Sequence, residues 1–186
     1  MKNIINNEFD EHLKLASQLF NLTDLVSASA EICCNCLKNG GKILLFGNGG
    51  SAADAQHIAA ELVGRYKTKR NGLAAIALTT DSSSLTSIGN DFGYKFLFSR
   101  QVEALANKGD VVIGISTSGT SDNVIQALKV ASMLNCSTIG FSGNDGGEMK
   151  KICHVNLVIP STDTPRIQEM HIIIGHTICH LIDQNF

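Results

Sequence analysis

Residues 111–128 decide the fold, and they read VVIGISTSGTSDNVIQAL. An apolar run at 111–115 ends in a loop of small and hydroxyl residues at 116–121, and apolar residues return at helical spacing with Val124 and Leu128. This pattern predicts a β-strand, a loop and an α-helix. In a parallel sheet such a loop lies above the carboxyl ends of the strands, where the N-terminus of the next helix favours an anion.

The loop at 116–121 is a candidate phosphate site. Five of its six residues carry a hydroxyl, which is more than turn formation and helix capping require. It contains no Lys and lacks the G-x-x-x-x-G-K-[ST] pattern, so a small phosphorylated metabolite is a better ligand than ATP. Strand-to-helix loops are also rich in Gly, Ser and Thr for structural reasons, and this alternative stays open for the loop alone.

Length and charge narrow the class of protein. The 186 residues suffice for one core and contain no Pro/Ser-rich linker, so we expect a single domain over 1–186, with helices at 1–38 and an α/β core at 42–186. The formal charge of -2 and the absence of a dense Lys/Arg cluster argue against nucleic acid and membrane surfaces as partners. Neither a membrane span nor a signal peptide is evident, which predicts a cytoplasmic protein.

The six cysteines do not form a convincing metal or disulfide pattern. Cys33, Cys34 and Cys36 crowd one helical turn, and the other three are scattered among apolar neighbours. We expect reduced, buried thiols that act as small hydrophobic side chains.

The rest of the chain alternates between strands and helices. Helical spacing from Phe9 to Phe20 and from Leu25 to Leu37 predicts two helices ahead of the first strand, and we expect them to contact another subunit. Strands are predicted at 42–46, 74–78, 111–115, 137–141 and 155–159. The predicted fold class is α/β, a doubly wound five-stranded parallel sheet between helix layers with an N-terminal helical extension.

The last predicted helix is apolar on nearly every side. Thr164 is expected to be its N-cap, with Pro165 at the first helical position. Gln168 and His176 fall off the stripe that faces the core, yet their side of the helix also carries apolar residues. We therefore expect these two side chains in a shielded site or a subunit contact.

A second strand, loop and helix pattern begins with the glycine loop at 47–50. His57 and Glu61 follow it on one face of the predicted helix, four residues apart. This spacing suits two ligands of one metal, or a base and its partner, but an exposed ion pair has the same spacing. His176 and His180 repeat the spacing and are equally ambiguous.

Five ordered blocks make the chain resemble the phosphoheptose (sedoheptulose 7-phosphate) isomerases of the sugar isomerase (SIS) domain superfamily. They read FGNGGSAADAQH at 46–57, ELVGRY at 61–66, GNDFG at 89–93, ISTSG at 115–119 and RIQEMH at 166–171. The resemblance implies an SIS-type sheet and a homotetramer with active sites at subunit interfaces. It also implies conversion of sedoheptulose 7-phosphate to D-glycero-D-manno-heptose 7-phosphate through an enediol, the first step of ADP-heptose synthesis for bacterial lipopolysaccharide and surface glycans.

The same resemblance implies roles for individual residues. Glu61 would be the base that moves a proton between C1 and C2, and His176 the acid that serves the sugar oxygens. The phosphate would be held by Ser51, Ser116, Thr117, Ser118 and Ser121. The sugar would be lined by Asn48, Gly49, Gly50, Asn90, Asp91 and Gln168. One zinc ion per subunit would be bound by His57, Glu61, Gln168 and His176.

Other functions within the superfamily remain alternatives. Replication-initiator-associating proteins share the Gly and Ser loops but lack residues that match Glu61 and His176, both of which this chain has. A non-catalytic phosphosugar-binding regulator usually carries an attached DNA-binding domain, for which the sequence has no room. An isomerase of another phosphosugar is not distinguished by these motifs.

Overall fold

The computed structural model describes all 186 residues and contains eight α-helices and five β-strands. The helices are α1 (Lys2–Gln18), α2 (Thr23–Lys38), α3 (Gly50–Val63), α4 (Ser82–Asp91), α5 (Ser99–Leu105), α6 (Asp122–Met133), α7 (Met149–Ile152) and α8 (Thr164–Asp183). The strands are β1 (Ile43–Gly47), β2 (Ala75–Ala77), β3 (Val111–Ser116), β4 (Ser137–Gly143) and β5 (Val155–Ile159).

The five strands form one parallel sheet in the order β2-β1-β3-β4-β5, which confirms the predicted fold class. The chain builds outward in opposite directions from the boundary between β1 and β3. At such a switch point the loops that follow the two central strands lie side by side, and ligands of open α/β sheets bind there. These loops are the glycine loop at 47–50 and the loop at 116–121, called the hydroxyl loop from here on.

Apolar side chains of alternate strand residues divide into two cores, one on each face of the sheet. Ile43 and Leu45 of β1 pack with α1, α2, α3 and α8, whereas Leu44 and Phe46 pack with α5, α6 and α7. Because side chains alternate along a strand and both faces are covered, the strand must be apolar throughout. Helices α3 and α8 therefore share one layer, which places their polar side chains near one another.

Two local predictions were off by a few residues. Asp163, not Thr164, is the N-cap of α8, because the backbone of Asp163 is extended while Thr164 already belongs to the helix. Residues 96–106 also have the apolar spacing that predicts a helix, and the helix in the structure begins later, at Ser99, after a short 3-10 turn at Tyr94–Phe96.

The cysteines are all free, as predicted, and five of the six are buried. Burial raises the pKa of both Cys153 and Cys179 to about 12. Thiols with such pKa values stay protonated and behave as small hydrophobic groups. No helix has the length and apolar character needed to cross a membrane.

A buried ion pair joins the segment that follows α3 to the end of α8. Arg70 Nε lies 2.7 Å from Asp183 Oδ1, and both side chains are excluded from solvent. The other carboxylate oxygen of Asp183 accepts hydrogen bonds from the backbone N–H groups of Lys67 and Thr68. Arg70 also donates to the carbonyl of Glu61 in the last turn of α3, so the pair ties this turn to the C-terminus of α8.

We expect Asp183→Asn to lower the free energy of unfolding by about 3 kcal/mol at neutral pH, because Arg70 would stay buried without its partner. Burial alone would raise the pKa of Asp183, but the N–H groups of Thr68 and Lys67 and the Arg70 guanidinium hold the pKa at about 2. The stabilisation is therefore complete above the unfolded value of about 3.9 and is lost as pH falls toward the folded value.

Urea denaturation at equal protein concentrations measures this effect, and the difference between wild type and variant should shrink in acid. Glu103→Gln is the control, since its ion pair with Arg100 is exposed and worth about 0.5 kcal/mol or less. A variant as stable as wild type at neutral pH would contradict the assigned role of the pair.

Candidate active site

The two central loops approach each other closely at the carboxyl edge of the sheet. Gly47 ends β1 opposite Ile115 of β3, and a Cβ on Gly47 would lie 2.8 Å from the Ile115 carbonyl oxygen. Two residues later Gly49 has φ of +56°, a left-handed conformation that favours glycine. Glycine at these positions thus permits both the close approach and the turn into α3.

The hydroxyl loop brings three serine side chains together. Ser116 Oγ donates to Ser121 Oγ at 2.9 Å and lies 3.3 Å from Ser118 Oγ. The backbone N–H of Thr120 donates to Ser118 Oγ at 3.2 Å. Helix α6 starts directly after Ser121, so its positive dipole end adds to these donors. Converging hydroxyl and N–H groups at a helix N-terminus are well suited to one small anion such as phosphate.

Three titratable side chains meet where α3 faces α8. His57 Nε2 lies 2.9 Å from His176 Nε2 and 3.3 Å from Glu61 Oε1. The ligand atoms of all three residues lie within 4.8 Å of one another. The pair on α3 is therefore joined by a third partner and is not an isolated surface ion pair.

Close packing of α3 on α8 explains this contact. A Cβ on Gly175 would lie only 2.5 Å from Ile58 Cδ1, so the helices approach through a glycine. Ile58 directly follows His57, and Gly175 directly precedes His176. The helix crossing thus brings the two imidazoles into contact.

The donor set of this cluster fits a catalytic zinc ion. Two imidazoles, one carboxylate and an open position form a common arrangement for such a site. Ligand atoms bound tetrahedrally at about 2.0–2.1 Å stand about 3.3 Å apart. His57 and Glu61 have this separation, and the two histidines would need to separate by a few tenths of an ångström.

Asp54 adds a second carboxyl group to the same face of α3, one turn before His57. One of its oxygens is buried without a hydrogen-bond partner. Burial raises the pKa of Asp54 to about 6, against a smaller lowering by His57. No role for Asp54 was predicted from the sequence.

The remaining predicted site residues lie in three places. Gln168 packs over the start of α3, where a Cβ on Gly50 would lie 2.5 Å from its Nε2 atom. Gly50 precedes His57 by seven residues, which is about 10 Å along a helix. Gln168 therefore lies near the start of α3, about two turns before His57. Asn90 donates to Asp91 at the exposed end of α4, and neither side chain hydrogen-bonds to the glycine loop. Ser51 is buried in the first turn of α3.

Two aromatic and amide contacts at the site were not predicted. The Tyr66 ring stacks on His176 with centroids 5.4 Å apart, and the Asn48 amide pairs with Asn123. Tyr66 stands within a recognised motif, but nothing in its spacing indicates a partner on α8. Asn123 near a helix N-terminus has the sequence signature of an ordinary capping residue.

The fold and the paired loops define the SIS domain class, and a family model described as "SIS domain" matches residues 9–143. The phosphoheptose isomerase of Campylobacter jejuni subsp. jejuni is 59% identical over all of both chains. That of Aliarcobacter butzleri is 61% identical over 98% of this chain and 97% of its own length.

Solved structures agree with these relatives. The phosphoheptose isomerase of Neisseria gonorrhoeae superposes with a TM-score of 0.93, at 45% identity over 98% of each chain. The enzyme from Francisella tularensis gives 0.94 at 35% identity, over 98% of this chain and 97% of its own. The chain belongs to the phosphoheptose isomerase family.

Proposed function

We propose that this protein interconverts sedoheptulose 7-phosphate and D-glycero-D-manno-heptose 7-phosphate in the cytoplasm, the first step of ADP-heptose synthesis for bacterial surface glycans. The observation that carries the proposal is the cluster of Glu61, His57 and His176 within 4.8 Å, in a chain whose relatives are phosphoheptose isomerases. Aldose-ketose exchange requires a general base and a general acid, and a carboxylate beside an imidazole supplies both.

Binding of the substrate divides between the two loops. The hydroxyl loop and the N-terminus of α6 hold the phosphate, because both offer donors to an anion. The phosphate ligands in this proposal are Ser51, Ser116, Thr117, Ser118 and Ser121. The sugar contacts are Asn48, Gly49, Gly50, Asn90, Asp91 and Gln168. The position of Gln168 over Gly50 favours this contact with the sugar.

The reaction moves one proton between neighbouring carbons. Glu61 removes a proton from C1 of the ketose, and the electron pair of that C–H bond forms the C1–C2 double bond of an enediol. His176 supplies a proton to the C2 oxygen as its carbonyl bond opens. Return of a proton to C2 and loss of the proton on the C1 oxygen give the aldose. No oxidant or reductant is needed.

A bound zinc ion fits this scheme as an electrophile that stabilises negative charge on the substrate oxygens. His57, Glu61 and His176 would hold it, since their donor atoms are already close together. Gln168 is a further ligand in the sequence-based proposal. When no ion is bound, His57 orients His176 through the 2.9 Å contact between their ring nitrogens.

We also propose a homotetramer with active sites at subunit interfaces. Helix α1 exposes Phe9 and Leu13, and Phe20 in the next turn is 83% exposed. A cavity of about 520 Å³ lies between this segment, α2 and α8, with a mainly apolar lining that includes Leu19 and Ile173. Contiguous exposed apolar surface of this kind is typical of a subunit contact.

We expect the purified protein to isomerise sedoheptulose 7-phosphate and Glu61→Gln to lower kcat by about 10² to 10⁴, the scale for loss of a general base. Substrate binding should persist, because the amide keeps the size of the carboxylate. Steady-state kinetics of wild type, Glu61→Gln and the exposed control Glu103→Gln measure this. A wild type that binds phosphosugar without turnover would favour the binding-module alternative, and near-normal kcat in Glu61→Gln would remove its role as base.

We expect Ser116→Ala combined with Ser121→Ala to raise KM more than it lowers kcat, because phosphate contacts exist in the ground and transition states alike. Inorganic phosphate should compete with the substrate in wild type and less well in the variant. Ser132→Ala on the exposed side of α6 is the control. If KM and phosphate inhibition both stay at wild-type values, the hydroxyl loop does not bind the phosphate.

We expect His176→Gln to lose zinc and most activity while keeping its melting temperature. Zinc content per chain and kcat should fall together, and a chelator should inhibit wild type until zinc is restored. His180→Gln, one turn further along α8 and also beside Tyr66, is the matched control and should retain zinc. A His176→Gln protein that melts early but keeps its specific activity would show that His176 serves only packing.

A further inference from the structure

The side-chain amides of Asn48 and Asn123 form a reciprocal pair across the site. Asn48 Nδ2 donates to Asn123 Oδ1 at 2.9 Å, and Asn123 Nδ2 donates to Asn48 Oδ1 at 2.8 Å. Asn48 lies in the glycine loop after β1, and Asn123 lies in the first turn of α6. Asn123 is only 2% exposed, so water does not compete for its hydrogen bonds.

A backbone group decides the orientation of both amides. The N–H of Val124 donates to Asn123 Oδ1 at 3.0 Å, and a backbone N–H can only donate. The oxygen of Asn123 must therefore stay on this side, which leaves its NH₂ group to face Asn48. The Oδ1 atom of Asn48 must therefore accept from this NH₂ group, so the orientation of Asn48 follows from that of Asn123.

The remaining hydrogen-bonding capacity of Asn48 is then a single donor. Its Oδ1 atom also accepts from the Tyr94 hydroxyl at 2.9 Å, which occupies both lone pairs. Its Nδ2 atom carries two hydrogens and donates one of them to Asn123. One N–H of Asn48 is left for a ligand, and no acceptor is left.

Asn48, which carries the free donor, lines a cavity. This cavity has a volume of about 410 Å³, and its lining includes Asn48, Gly49, Thr79 and Tyr94. Since Asn123 follows Ser121 by two residues, the amide pair also connects this cavity to the hydroxyl loop. A phosphosugar would then bind at two points. One of its oxygens would accept a hydrogen bond from Asn48, and its phosphate would bind to the serines of the hydroxyl loop.

We propose that Asn123 is a positioning residue that holds the Asn48 amide so that Asn48 presents one N–H donor, and no acceptor, to an oxygen of the phosphosugar. This inference rests on the proposed function, because it assigns Asn48 to the sugar. Asn123 itself does not touch the substrate. It acts by preventing rotation of Asn48, which would otherwise place an amide oxygen against a sugar oxygen.

The experiment measures KM, kcat and inhibition by inorganic phosphate for Asn123→Ala, Asn48→Ala and the double variant, with sedoheptulose 7-phosphate as substrate. Each single variant should raise KM about tenfold, the effect of one lost hydrogen bond. The inhibition constant of inorganic phosphate should stay within about twofold, because the serines and not Asn48 hold it. Asn35→Ala on the exposed side of α2 is the control for the same chemical change.

The double variant separates positioning from a merely structural role. If Asn123 acts through Asn48, adding Asn123→Ala to Asn48→Ala should raise KM no further. Effects that add, or an inhibition constant for phosphate that rises in parallel with KM, would overturn the proposal, since Asn123 would then support the loop or the fold directly.

A second variant covers the case in which Asn123→Ala does not fold. Asn123→Asp keeps the size of the side chain but sets a carboxylate oxygen against Asn48 Oδ1, so KM should again rise about tenfold. An unchanged KM in folded Asn123→Asp would overturn the inference. A wild type without turnover would instead refute the proposed isomerase function, so the two failures are distinguishable.

Discussion

The parallel pairing of β1 with β3 is the constraint on which the rest of the structure depends. Because the two strands run in register from Ile43 and Val111, their following loops emerge at the same edge of the sheet. The chain then leaves β1 toward one face as α3 and leaves β3 toward the other face as α6. The glycine loop and the hydroxyl loop are held side by side by main-chain hydrogen bonds, before any side chain contributes.

A second constraint acts on α3, which is held at both ends. Its N-terminus is fixed by the glycine loop, and its last turn is tied to α8 through Arg70 and Asp183. Between these points α8 crosses at Gly175, and the absence of a side chain there sets the spacing of the two helices. Glu61 and His176 therefore face each other because rigid elements hold them, which is how a site keeps a productive geometry.

Most of the fold could be predicted because strand and helix periodicity are local properties of the chain. Contacts between residues far apart in the sequence could not be predicted in this way. Periodicity showed that His176 lies outside the core stripe of α8, but not that it contacts His57, which is 119 positions away. Family resemblance supplied that grouping. The pairing of Asn48 with Asn123 was missed, since amide partners leave no periodic signature. The roles of the site residues and the subunit contacts stay predictions.

The native cysteines react little with thiol-directed reagents, because five of the six are buried. Alkylating reagents attack the thiolate, and Cys153, which is only partly buried, has a pKa of about 12. A single cysteine introduced at an exposed position would therefore be the preferred target of a maleimide dye or a spin label. The wild-type chain can thus carry site-specific probes of distance and motion without first removing its native thiols.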